Sequence, residues 1–104
     1  MNANLFSMVC ADNGSVVIEG ELVLVNVEAA LALSQQIFQL QGGDLTIDLG
    51  GVTRGDSAGL ALLIHWVREL HSSGRYLSFI HTPAHLLRLA DASDLTNILP
   101  FAVR

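Results

Sequence analysis

At 104 residues the chain is sized for one domain, spanning 1–104, with a single modest core. Its hydrophobic content of 51% against 14% charged residues argues against disorder and leaves apolar surface for a partner to cover. Ten acidic against five basic residues give a net charge of -5, which argues against nucleic acid or an anionic membrane surface as partner, since both need a basic footprint.

The lone Cys10 cannot form an internal disulfide and fits a reducing compartment. The start, Met1 to Cys10, has neither a basic opening nor a long apolar run, so no signal peptide is expected. No stretch approaches the roughly 20 apolar residues of a membrane span.

Leu5 to Ala11 alternates as a strand does, Asp12-Asn13-Gly14 signals a tight turn, and Ser15 to Leu22 is the returning strand of a hairpin. Asn26 is placed to cap a helix running to about Gln41. Val27, Ala30, Leu31, Ser34, Ile37 and Phe38 would form its buried face, and Gly42-Gly43 would end it. Asp44 to Leu49 alternates again, with Leu45, Ile47 and Leu49 on one side.

From Asp48 the chain reads Asp-Leu-Gly-Gly-Val-Thr-Arg-Gly-Asp-Ser-Ala-Gly-Leu60: a strand end, a glycine-bearing loop over Gly50–Gly55, and a helix start. Asp56 or Ser57 is the natural N-cap, and Gly59 in the first turn suggests the close approach of another backbone or a partner. That helix reaches about Ser73, where Gly74 stops it. Its core face holds Leu60, Leu63, Ile64, Val67, Leu70 and His71, while Ala58, Leu62 and Trp66 fall roughly opposite. Tyr76 to Ile80 is a further strand. Thr82 as cap with Pro83 at the first helical position opens a last helix through Leu86, Leu87, Leu89 and Ala90, and Ile98 to Val103 is a short strand or tail.

Strands alternating with helices after a hairpin give an α/β domain with parallel strands joined by crossovers. The stretch Asp48–Leu60 resembles the signature of STAS domains, in which an Asp-Leu strand end leads to an Asp-Ser/Thr-x-Gly-Leu helix start. Here Asp56, Ser57, Gly59 and Leu60 stand at the matching positions. Gly20-Glu21-Leu22 is similar to the Gly-Glu-Leu that ends the second strand in that family, although Val23 stands where Asp often follows. The run Gly59 to His65 and Leu99-Pro100 resemble the MlaB type within the family, the small STAS subunit of a bacterial phospholipid-transporting ABC complex.

The resemblance implies the STAS fold, a mixed β-sheet with an N-terminal antiparallel hairpin and helices packed mainly on one face. It implies a non-catalytic subunit, cytoplasmic and peripheral to the inner membrane. Such a subunit would bind and support the ATPase of an ABC-type phospholipid transporter that maintains outer-membrane lipid asymmetry. The alternative it raises is an anti-sigma-factor antagonist switched by phosphorylation of Ser57.

Ser57 is either a plain first-turn residue or a partner contact and phosphoacceptor. The free amides and dipole of a helix start suit a phosphate there. With Asp56, Ala58, Leu62 and Trp66 it makes up the expected partner-binding set, because tryptophan on an outward helix face is enriched at interfaces. His65, His71, His81 and His85 lack the convergent spacing of a zinc site, so neither a metal nor a cofactor is expected. No histidine has an evident route to Ser57, and the glycines do not follow a dinucleotide or phosphate-loop pattern.

Overall fold

The computed structural model describes residues 5–101. In chain order it has β1 (Phe6–Cys10), β2 (Val16–Leu22), a 3-10 turn (Leu24–Asn26), α1 (Val27–Leu40), β3 (Leu45–Gly55), α2 (Ser57–Ser72), β4 (Leu77–Ile80) and α3 (Ala84–Ala92). The four strands form one sheet in the order β1-β2-β3-β4, antiparallel in the first pair and parallel in the other two. The hairpin turns at Gly14, whose φ of 89° is one an L side chain resists, and Asn13 Oδ1 accepts from Ser15 N at 3.0 Å and Ser15 Oγ at 2.7 Å. Each parallel pair needs a crossover, which α1 and α2 supply.

Alternation along the strands sends Val16, Ile18, Ile47, Leu49 and Phe79 into one core with Ala30 and Phe38 of α1, Leu60, Leu63, Trp66 and Leu70 of α2, and Leu86 of α3. The opposite sheet face carries Ser7, Val9, Val17, Glu19, Thr46, Asp48, Ser78 and Ile80, none of them fully buried. The helices therefore cover one face and leave the other open. Beyond α3 the chain returns along β4: Phe79 N donates to Pro100 O at 3.1 Å, and Phe79 bridges Phe101. The expected terminal strand thus reduces to that bridge, with residues 102 and 103 lying outside the described range.

Three expectations are corrected. The glycine stretch Gly50–Gly55 is strand rather than loop, because β3 continues beside β2 as far as the Leu22↔Gly55 pair. None of Gly50, Gly51 and Gly55 lies at positive φ, so their value is the missing side chain. A Cβ at Gly51 would stand 2.6 Å from Glu19 Cγ on β2. Asn26 precedes α1 but does not cap it through its side chain; its amide donates instead to Glu21 O at 2.8 Å, locking the end of β2 to the 3-10 turn. Thr82 is not the cap of α3 either. The helix starts after Pro83, and the Thr82 hydroxyl is buried without a partner among the described residues.

Candidate functional site

The site is built where β2 ends, the 3-10 turn begins and α2 starts. Asp56 is the hinge of this corner. Its extended backbone and short carboxylate make it the N-cap of α2, with Oδ1 accepting from Gly59 N at 3.0 Å. Its other oxygen accepts from Leu24 N at 3.1 Å, across 32 residues of sequence, and Asp56 N donates to Leu22 O at 3.3 Å. Gly59 completes the junction, because a Cβ there would overlap the Leu22 carbonyl oxygen. The close approach expected at Gly59 is therefore that of the Leu22 backbone, and Asp56 serves the corner as cap and tie.

Ser57 follows as the first residue of α2 and is exposed. Among the described residues no hydrogen bond reaches its hydroxyl. The amides of the first helical turn have no carbonyl partner within the helix, and Asp56 takes up that of Gly59. The Ser57 hydroxyl thus stands exposed at the positive end of a helix capped by the Asp56 carboxylate.

Beside Ser57 lies an open apolar groove lined by Leu24, Val27, Leu31, Ala58, Ala61, Leu62 and His65. Leu24 is 70% and Val25 65% exposed, large values for branched apolar side chains fixed in a hydrogen-bonded turn. Sequence periodicity missed Leu24, Val25 and Ala61, because the turn that carries the first two has no helical or strand repeat. The available signal was the apolar run Leu22-Val-Leu-Val25 between a strand and a helix cap.

Two of the expected contact residues are differently placed. Trp66 is 0% exposed and packs edge-on against Phe38 of α1, with ring centroids 6.1 Å apart at 76°. Its indole N–H has no acceptor among the described residues, so packing alone holds the ring. Leu62 is also buried, at 4%, and contributes only to the groove floor. The reason is the central position of α2, which touches both α1 and α3 as well as the sheet. A helix between two others buries a wide arc, so the residues opposite the first apolar stripe meet α1 instead of solvent. Ala58, half-buried, and exposed Ser57 and Ala61 form the accessible part of that side.

The histidines do not converge. His65 lies 3.5 Å from Glu69 one turn along α2, and His81 Nδ1 lies 3.1 Å from Asp48 Oδ1, which also accepts from Gly50 N at 2.8 Å. Among the described residues no group of three or more His, Cys, Asp or Glu is placed to hold a metal ion. No described helix is long and apolar enough to cross a membrane.

Solved structures share this fold. One, assigned as an anti-sigma factor antagonist of Thermotoga maritima, is 19% identical and superposes with a TM-score of 0.74 over 95% of this chain and 86% of its own. The anti-sigma factor antagonist SpoIIAA in its unphosphorylated form is 21% identical, with a TM-score of 0.66 over 96% of this chain and 88% of that one. The Bacillus cell fate determinant SpoIIAA in its phosphorylated form is 22% identical, at 0.65 over 96% and 93%. At such identities the likeness is one of fold. No curated protein matches the chain. The family model of MlaB-type STAS domains, however, matches residues 11–100, nearly the whole of the described fold, and the chain belongs to that STAS family.

Proposed function

We propose that this chain is the non-catalytic STAS subunit of an ABC-type phospholipid transporter, which binds the transporter's ATPase and supports its assembly or activity. On this reading it works in the cytoplasm, held at the inner membrane through the complex. The observation that carries the reading is the MlaB-type family match over residues 11–100. The physical support is the corner around Asp56, where exposed Leu24 and Val25 and the Ser57 hydroxyl stand together beside an apolar groove. Such a surface suits protein recognition: apolar side chains for burial, one hydroxyl for orientation, and a backbone held in place beforehand.

The test is co-purification of the chain with the ATPase subunit of such a transporter. Leu24→Asp places a charge on an exposed apolar position and is expected to abolish capture while the isolated chain melts as wild type does. Full capture by Leu24→Asp and Ala58→Asp would remove this surface from the reading.

A second reading is favoured by the exposure of Ser57 at the helix start. In it the chain is an anti-sigma-factor antagonist, and a phosphate on Ser57 switches partner binding. Incubation with a serine kinase of the anti-sigma-factor type, followed by mass spectrometry, separates the two. Stoichiometric phosphate on Ser57 with release of a bound protein supports the switch.

A further inference from the structure

The two edges of the sheet are finished differently. The β4 edge is closed by the returning chain through Phe79 and Pro100. Among the described residues the β1 edge has no strand beside it, since β1 pairs with β2 alone. Two hydrogen bonds establish which groups it presents. Glu21 N donates to Leu5 O, and Ala11 N donates to Ser15 O, both at 2.8 Å, so the odd-numbered residues turn their backbone toward β2. Alternation in an antiparallel ladder then leaves the N–H and C=O of Phe6, Met8 and Cys10 on the outer edge.

Three of the usual protections are missing from that edge. Phe6-Ser-Met-Val-Cys10 contains no charge and no proline, and its pairing with β2 runs without a bulge. Leu5 before it and Val9 within it are 75% and 55% exposed, while Met8 at its centre is 4% exposed and belongs to the core cluster. Natural edges of this kind are normally blunted by lysine, proline or a bulge; an unblunted one is a template for another strand.

We propose that the β1 edge pairs antiparallel with β1 of a second copy of this chain, joining two sheets about a two-fold axis at Met8. The register is self-complementary. Phe6 faces Cys10 of the other copy, Met8 faces Met8, and every outward donor meets an outward acceptor. Ser7 falls opposite Val9. A two-fold axis places each strand against itself, so any charge in β1 would be brought close to its own copy. The chain carries a net charge of -5 and places none of it between Phe6 and Cys10. This surface is separate from the Ser57 corner, so the pairing stands or falls independently of the transporter reading.

The test is sedimentation of the full chain under reducing conditions, with cysteine cross-linking to read the register. Wild type is expected to reach a dimer as concentration rises. Cys10→Pro removes an outward N–H while leaving the β1–β2 ladder intact, and should weaken the dimer by at least about tenfold through the two hydrogen bonds lost. In a Cys10→Ser background, an oxidised mixture of Ser7→Cys and Val9→Cys chains should give a disulfide dimer, because these positions form a close, non-hydrogen-bonded pair. Each variant alone should not. A wild-type chain that stays monomeric throughout overturns the proposal. So does a dimer in which the mixture cross-links no better than the separate variants, and this arm decides the matter even if Cys10→Pro fails to fold.

Discussion

The two ends of α2 are fastened by the same device and left in different states. At its start, Asp56 accepts from Gly59 N in the helix and from Leu24 N in the preceding turn. Just past its end, the Arg75 guanidinium donates to the carbonyls of Phe38, Gln41 and Gly43, filling the C-terminus of α1. Each is one charged side chain joining backbone groups more than thirty residues away. At the Arg75 end the neighbouring exposed residues are Ser72, Ser73 and Gly74, together with Leu40 at 81% and Tyr76 at 67%. At the Asp56 end they are Leu24, Val25 and Ser57. Both ends thus expose apolar side chains, and what sets the Asp56 end apart is the apolar groove that Leu24 lines with Ala58 and Leu62, a concave surface that a partner's side chains can enter.

The largest effect expected is on the stretch of α2 between those ends. Trp66→Ala empties a fully buried site against Phe38 and should cost about 3–5 kcal/mol, read as a large fall in melting temperature of the isolated chain. A variant that melts like wild type but loses its partner would restore the outward-facing tryptophan. Next comes Arg75→Ala, which strips three carbonyls of a charged donor. It should cost about 1.5–3 kcal/mol in denaturant titration without altering partner capture, because Arg75 and the carbonyls it binds lie outside the groove beside Ser57. Loss of capture at unchanged stability would move the interface to that end.

Asp56→Ala sharpens the comparison from the other side. It removes the cap of α2, a change worth about 0.5–2 kcal/mol, and frees Leu24 N. Because the Leu24 turn then loses its tie, partner affinity should fall by more than the modest melting shift suggests. Asp56→Asn keeps an acceptor for the helix amide and should recover most of the stability. Equal losses in both variants, with affinity untouched, would leave Asp56 a cap and nothing more.

How far the sequence carried this picture depended on the kind of signal. The hairpin, the three helices and the order of strands follow from alternation, helical spacing and glycine stops, because these patterns are local. A cap at Asp56 or Ser57 was likewise legible, from short polar residues before an apolar run, and the structure gives the role to Asp56. The extension of β3 through Gly50–Gly55 was not, since glycines that admit a neighbouring strand look the same in one dimension as glycines that turn. The burial of Trp66 was hidden for a related reason. Periodicity gives the direction of an apolar stripe but not how many neighbours a helix has, and α2 has one on each side. Leu24 and Val25 lie in a turn without a periodic repeat, and the apolar run that holds them does not encode the Asp56 tie that fixes the turn.

The smallest effect on the isolated chain is expected at Ser57, and it is the most informative about the open end. A carboxylate in the first turn of a helix is favoured by about 0.3–1 kcal/mol when the position is otherwise uncharged. Here the Asp56 carboxylate already sits at that end, so Ser57→Asp brings a second negative charge beside the first and the two contributions oppose. Since the side chain is exposed, water screens both, and the melting temperature should stay close to that of wild type. Binding is another matter. Covering the corner removes water from the new carboxylate, and unless the partner presents a cation the desolvation opposes association. Ser57→Ala gives up only a hydroxyl and should bind better than Ser57→Asp. Melts and partner titrations on the three chains measure both quantities at once. A Ser57→Asp chain that unfolds would make the residue structural, and one that binds like wild type would place Ser57 outside the contact and leave Leu24 and Val25 to define it.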